Sequence, residues 1–341
     1  MRKLVHILTL FLLLVTTSCV HKELCEIHSD HAHRFHIKVL ASYRLDWEEN
    51  LTGYCDWSDP SNWMSDYMPY DELRPKEPTG LRVVTFDPND NYNIHNIPAA
   101  GGNITLFEGE NDILFYNNDT EYIVFSRQGT GATTRATTRT TTRGTYNGNS
   151  YADPDEKTVN APDVLFANYH ENYISYKTEG PVLYPVELQP LVFTYKIRFE
   201  FAEGLKFVAL ARGALSGMAE SVELNTGETS EKGATILFDC EMTSFGARAF
   251  VNSFGIPSYP NPNYPTTRAT SHGLTLEVML RNGKMVTFEY DVTDVVNKQP
   301  HGGVIVIKDI VIKEADGVQG SGAFDVEVDD WGEYNDIPLE L

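Results

Sequence analysis

Apolar and polar residues alternate along much of this chain, and they seldom recur at helical spacing. In Phe35-His36-Ile37-Lys38-Val39-Leu40-Ala41-Ser42-Tyr43 the odd positions are apolar and most even ones polar, which predicts a strand with one buried face. Shorter runs of the same kind follow at 81–86, 104–107, 113–116, 122–125, 173–176 and 181–188. Beyond Leu191 the strands lengthen. Residues 193–201 alternate strictly, and 207–215, 234–243, 274–280, 285–290 and 304–312 complete the set. Gly, Pro, Asn and Asp separate the runs, as they do in sandwiches and barrels. One helical turn is expected at 161–168, opened by Pro162. Pro185 and Pro190 punctuate the middle of the chain. The pattern predicts an all-β protein with two tandem β-sandwich domains, 35–187 and 188–341.

The first residues follow another logic. Arg2 and Lys3 precede an apolar run, 4–15, interrupted only by His6 and Thr9. That is a secretory h-region, too short for the roughly 20 residues of a spanning helix. Small polar residues, Thr16-Thr17-Ser18, stand directly before Cys19. Residues 1–18 therefore read as a lipoprotein signal peptide cleaved between Ser18 and Cys19, with Cys19 acylated, by palmitate among other chains. Two or more chains give durable anchoring in a bilayer. Residues 19–34 then form a lipidated tether, and no cofactor is expected beyond this covalent lipid.

Charge narrows the partners. The 341 residues carry a net charge of −21, and loss of Arg2 and Lys3 with the signal makes the mature chain more acidic still. Such a chain repels nucleic acid and anionic membrane surfaces, so the lipid must hold it at the membrane. After cleavage at Cys19, the cysteines besides the lipidated one are Cys25, Cys55 and Cys240. An odd number makes no disulfide framework, and a Cys25–Cys55 bridge stays open. Cys240, beside Ile236-Leu237-Phe238, reads as a small buried hydrophobe.

The repeat Thr133-Thr134-Arg135-Ala136, Thr137-Thr138-Arg139-Thr140, Thr141-Thr142-Arg143-Gly144 lies within a Gly- and Asn-flanked stretch, 129–150. Its composition predicts a disordered loop in the first domain. Thr266-Thr267-Arg268-Ala269-Thr270 echoes it in a second loop. An exposed tract of this kind would also offer a protease Arg135, Arg139 or Arg143.

Several clusters could carry chemistry. His28, His31 and His33, with Cys25 and Glu26 nearby, are the densest group of transition-metal ligands, but no second cluster completes a site and a polar tether is the plainer reading. Asp87-Pro88-Asn89-Asp90-Asn91 opens like a calcium loop but has Tyr92 where the turn glycine belongs, so it reads as a turn. The C-terminal acids Asp325, Glu327, Asp329, Asp330 and Glu333 suit a solvated strand edge. Residues 43–74 are crowded with aromatics, of which Trp57 and Trp63 are candidates for stacking on sugar rings; packing over the sandwich is the alternative use. No Gly-x-Ser-x-Gly elbow, His-Glu-x-x-His helix, phosphate-binding loop or dinucleotide fingerprint is present, which favours a binding or structural role over an enzyme.

Short stretches across the mature chain resemble Bacteroidales surface lipoproteins related to the fimbrillin-type (type V) pilus proteins, of the anchor or accessory-subunit kind. They are Cys19-Val20-His21-Lys22-Glu23-Leu24-Cys25 with His31-Ala32-His33, then Gly213-Ala214-Leu215-Ser216-Gly217-Met218-Ala219, Thr243-Ser244-Phe245-Gly246, Tyr290-Asp291-Val292-Thr293-Asp294 and Val328-Asp329-Asp330-Trp331. The resemblance implies two transthyretin-like β-sandwich domains, anchoring in the outer membrane with surface exposure, and a part in fimbrial assembly or adhesion to a host or glycan receptor. It brings no catalytic residues. It also implies assembly with fimbrial subunits by strand donation. Because the first strand directly follows the lipidated segment, its loss would detach the anchor, which suits a base subunit. Two other readings stand beside it: a glycan-binding surface lipoprotein of a carbohydrate-uptake system, using Trp57 and Trp63, and a metal-binding lipoprotein using His28, His31 and His33.

Overall fold

The structure, a computed structural model, describes residues 35–45, 75–127, 133–259, 271–318 and the backbone of 335–336. Through the first half run β1 (His36–Tyr43), β2 (Gly80–Phe86), β3 (Tyr92–Pro98), β4 (Asn103–Thr105), β5 (Gly109–Asn117), β6 (Ile123–Arg127), β7 (Thr134–Thr138), β8 (Thr141–Thr142), β9 (Lys157–Asn160), β10 (Phe166–Ser175) and β11 (Val182–Pro190). The second half holds β12 (Phe193–Glu203), β13 (Val208–Ala219), β14 (Ser221–Glu223), β15 (Gly233–Asp239), β16 (Glu241–Thr243), β17 (Gly246–Ser253), β18 (Gly273–Leu280), β19 (Met285–Asp291), β20 (Gly303–Val311) and β21 (Asn335–Asp336). Two short α-helices, α1 (Thr293–Asn297) and α2 (Glu314–Gly317), and a 3-10 turn at Leu205–Phe207 complete the described elements. The protein is all-β, as alternation predicts, and none of the described helices is long and apolar enough to cross a membrane.

The first half is built on a seven-stranded sheet ordered β3-β2-β5-β10-β11-β1-β4. Strand β11 makes its corner. It meets β10 only at Phe166↔Pro190 and Ala167↔Gln189, while Ile37↔Val182 through Tyr43↔Leu188 bind it parallel to β1. The β1, β4 and β11 layer therefore folds over the β2, β5 and β10 layer. Between them Ile37, Val39, Leu81, Val83, Ile113, Phe115 and Phe166 are buried. The neighbouring residues Val84, Phe86, Leu114, Tyr116 and Ala167 point the other way, into a second core with Ile123, Ala136 and Val222 of a small β14-β7-β6 sheet. Strands apolar on both faces need two covers, and both are present.

In the second half a β16-β17-β12-β20 sheet faces a β19-β18-β13-β15-β9 sheet. Tyr195, Ile197 and Phe199 pack across from Leu215, Ile236, Leu274, Leu276 and Val278. Cys240 packs against this core, where burial pushes its thiol far up, so it serves as the small hydrophobe expected. A topological theme repeats: β12, which opens this half, pairs parallel with β20, as β1 pairs with β11. Strand pairing also crosses the middle of the chain three times among the described residues. β9 joins β15 in parallel, β14 joins β7 antiparallel, and β21 joins β8 antiparallel.

Two expectations are corrected. Residues 161–168 form no helix; Phe166 already opens β10, because Phe166 and Ala167 are taken into opposite cores. The Thr/Arg tract is ordered from Thr133 onward, whereas 129–132 lie outside the described residues. Its period-four repeat contains a period-two pattern. Thr134, Ala136 and Thr138 are buried, while Arg135 and Thr137 turn away, and β-branched threonine suits a half-buried strand. Arg135 pairs with Glu223 at 2.6 Å across β7 and β14.

Candidate functional site

The outer face of the β19-β18-β13-β15-β9 sheet is polar by the same alternation that makes its inner face apolar. Registers Arg212↔Glu277, Glu277↔Thr287 and Thr275↔Glu289 place these side chains together on that face, and Thr158↔Thr235 extends it across β9 and β15. Solvent would ordinarily cover such a surface. Here residues 143–156 lie across it.

The cover is held by charge-assisted and hydroxyl hydrogen bonds. Glu277 Oε2 receives Arg212 Nε at 2.8 Å and the Thr145 hydroxyl at 3.0 Å, with Arg143 Nε at 3.3 Å. Arg212 Nη2 also donates to the Thr145 hydroxyl, and Arg143 Nη1 to the Gly213 carbonyl at 3.1 Å. The side chains of Arg143, Arg212 and Glu277 are 3 %, 6 % and 1 % exposed, so two guanidinium groups answer one buried carboxylate. Removing charges from water is costly, and only such pairing makes it tolerable. Asn149 Nδ2 donates to the Thr275 hydroxyl at 2.8 Å, and the Tyr146 and Ser216 hydroxyls meet at 3.3 Å.

The ends are tied separately. Glu289 Oε2 accepts the Ser150 N–H at 3.1 Å and also the Ser150 hydroxyl. Glu156 Oε2 accepts the Gly217 N–H at 3.0 Å and the Thr235 hydroxyl at 2.8 Å. Burial nevertheless raises the Glu156 carboxyl above the usual range. Gly217 sits at φ 79 in a bulge of β13, where an added Cβ would lie 2.3 Å from the Ser271 carbonyl oxygen. The bulge turns its N–H toward Glu156.

Between cover and sheet remains a cleft of about 820 Å3, lined by Tyr146, Glu156, Thr235, Glu277, Thr287 and Glu289 among others. Its lining combines carboxylate acceptors, hydroxyls that donate and accept, amides and a phenol ring. Such a site can bind by hydrogen bonding.

A family model described as "Domain of unknown function (DUF5119)" matches residues 69–239, half of the chain. The chain belongs to the DUF5119 family. That match takes in the cover and strands β13 and β15 beneath it. No curated protein matches. Among solved structures, this DUF5119 chain is similar to a "putative adhesin" from Bacteroides ovatus at 17 % identity and TM-score 0.56, over 84 % of this chain and 95 % of that one. It also aligns with a "putative adhesin" from Bacteroides thetaiotaomicron, at 10 % identity and TM-score 0.44 over 81 % and 92 %. The fimbrial anchor protein Mfa2 from Porphyromonas gingivalis aligns at 12 % identity and TM-score 0.42 over 80 % and 90 %. The first likeness establishes a shared fold.

The residues singled out from sequence fall elsewhere. Ser18, Cys19, Cys25, His28, His31, His33, Cys55, Trp57, Trp63, Arg268 and the acids 325–333 all lie outside the described residues. Among the described residues no group of three His, Cys, Asp or Glu side chains could hold a metal ion. Asp87 forms the turn expected of it, accepting the Asn89 and Asn91 N–H groups at 2.9 and 2.8 Å. Of the three tract arginines, Arg143 is buried beneath the cover. Sequence reasoning missed the cleft, although Thr275, Glu277, Thr287 and Glu289 stand at alternate positions of two strands it did find.

Proposed function

We propose that this chain is a non-enzymatic surface lipoprotein, an anchor or accessory subunit in fimbrial assembly or an adhesin, held in the outer membrane by acyl chains on Cys19. The observation that carries the reading is the fold shared with the Bacteroides ovatus putative adhesin over nearly the whole of both chains. Placement of β1 supports it. Among the described residues β1 is the strand nearest Cys19, and it is clamped between β4 and β11, so a pull on the lipid would be borne by a sheet. Fimbrial subunits would join through strand addition at a sheet edge. Strand β3 offers one, with Tyr92 and Ile94 exposed along it.

The test is isolation of the full-length chain from detergent-solubilised membranes of its host, beside a Cys19→Ala variant. The reading expects labelled palmitate in the first and not the second, together with co-isolated fimbrial subunits or loss of adhesion when the gene is deleted. Unlabelled protein in the soluble fraction, or wild-type adhesion with no co-isolated subunit, would overturn it.

A further inference from the structure

We infer that the cleft between residues 143–156 and the β9, β15, β18 and β19 face is a binding site for a neutral saccharide. The inference rests on the cleft itself and stands apart from lipid anchoring and fimbrial assembly.

Size comes first. About 820 Å3 lies within the range of ligand pockets, roughly 300–1,000 Å3, and would hold one to three sugar rings. Chemistry then selects the class. A sugar hydroxyl both donates and accepts, so its site needs acceptors and donors side by side. Carboxylates Glu156, Glu277 and Glu289 supply acceptors, Thr287 supplies a hydroxyl that does either, and Thr235, whose hydroxyl donates to Glu156, can still accept.

The decisive group is Glu277. All three of its contacts, from Arg143, Arg212 and Thr145, reach Oε2. No hydrogen bond to Oε1 is present among the described residues, yet the side chain is 1 % exposed and lines the cleft. That oxygen is an acceptor left facing the cleft, which a ligand hydroxyl can meet. Arg143 Nη2 is likewise without a partner.

Other ligand classes fit less well. Anions are repelled, since Asp153, Glu156, Glu277 and Glu289 outnumber Arg143 and Arg212, and both arginines are committed to Glu277. A cationic amine would have to sit beside those two guanidinium groups to reach Oε1. An apolar ligand would strand the hydroxyls. A neutral polyol meets every group.

The experiment uses the full-length chain in detergent against a glycan array and, by saturation-transfer NMR, against glucose, galactose, mannose, N-acetylglucosamine and their β-linked disaccharides. Thr287→Val and Glu289→Gln alter exposed positions of the cleft and leave the core whole. Glu277→Gln probes the key oxygen, with thermal melting as its control for folding. The expected result is saturable binding of at least one neutral sugar, weakened tenfold or more by Thr287→Val with Glu289→Gln at unchanged melting temperature, and retained in Trp57→Ala/Trp63→Ala. Two results would each overturn the inference: no neutral sugar binds, or binding is indifferent to the cleft variants. Neither bears on palmitate labelling or subunit co-isolation.

Discussion

The central strands of the first half and the five-stranded sheet of the second solve opposite problems. In β5, Phe115 and Leu114 enter different cores, so the layer is apolar on both faces and is sealed twice by apolar partners. In β18, Leu276 enters a core while Thr275 and Glu277 face the other way. That outer face is covered as well, but only by a polar segment that answers it group for group. Apolar covering is tolerant of detail, because dispersion and area act without direction. Polar covering is demanding, since every buried donor and acceptor needs a partner in place. A cleft survives where that matching stops.

The largest expected effect breaks the polar cover at its centre. Glu277→Leu leaves Arg143 and Arg212 buried without a counter-charge and should cost about 3–5 kcal/mol in urea unfolding. A loss below about 1 kcal/mol would mean that the guanidinium groups reach water and the cover is loose.

Adjacent residues give the next contrast. Leu114→Ala and Leu276→Ala should each cost about 2–5 kcal/mol as core truncations. Their neighbours part company: Phe115→Ala should cost about 3–5 kcal/mol, whereas Thr275→Ala loses one hydrogen bond, about 1 kcal/mol. Equal costs at Phe115 and Thr275 would erase the distinction between the two sheets.

Acid sharpens the comparison further. His272 is fully buried, and burial lowers its pKa from 6.5 to about 4. The unfolded chain takes up this proton near 6.5 and the folded chain only near 4. The contribution is therefore complete above pH 6.5 and is lost as pH falls toward 4, by up to about 3 kcal/mol. Urea midpoints between pH 7.5 and 4.5 should decline in the native chain and flatten in His272→Phe. Glu156, whose pKa is raised, acts in the opposite sense.

The smallest effect belongs to the tract's other ion pair. The Arg135 side chain is 41 % exposed, so Arg135→Ala should change stability by less than about 1 kcal/mol. Two arginines eight residues apart in one repeat would thus differ severalfold in what their partners are worth.

Sequence made the alternating strands legible because period two is a local property. His36–Tyr43 and Phe193–Glu203 are found nearly as read. The Thr/Arg tract was not legible, since composition counts threonine as polar while β7 uses it as a small β-branched filler at Thr134 and Thr138. The cleft was hidden for a second reason. Alternation shows that Glu277 and Glu289 leave the core, but not that a segment more than a hundred residues earlier returns to lie on them.

Exchange of strands across the middle of the chain has a kinetic consequence. β7 stays unpaired on one side until Ser221–Glu223 arrives, β9 until Gly233–Asp239 arrives, and Ile37 until Val182 does. Contacts so distant in sequence must be closed before they repay the entropy of closure, which slows folding. A chain emerging slowly from the ribosome, amino end first, would present these strands with their edges open. The acidic surface then gains a second use, keeping such half-made chains apart until their partners emerge.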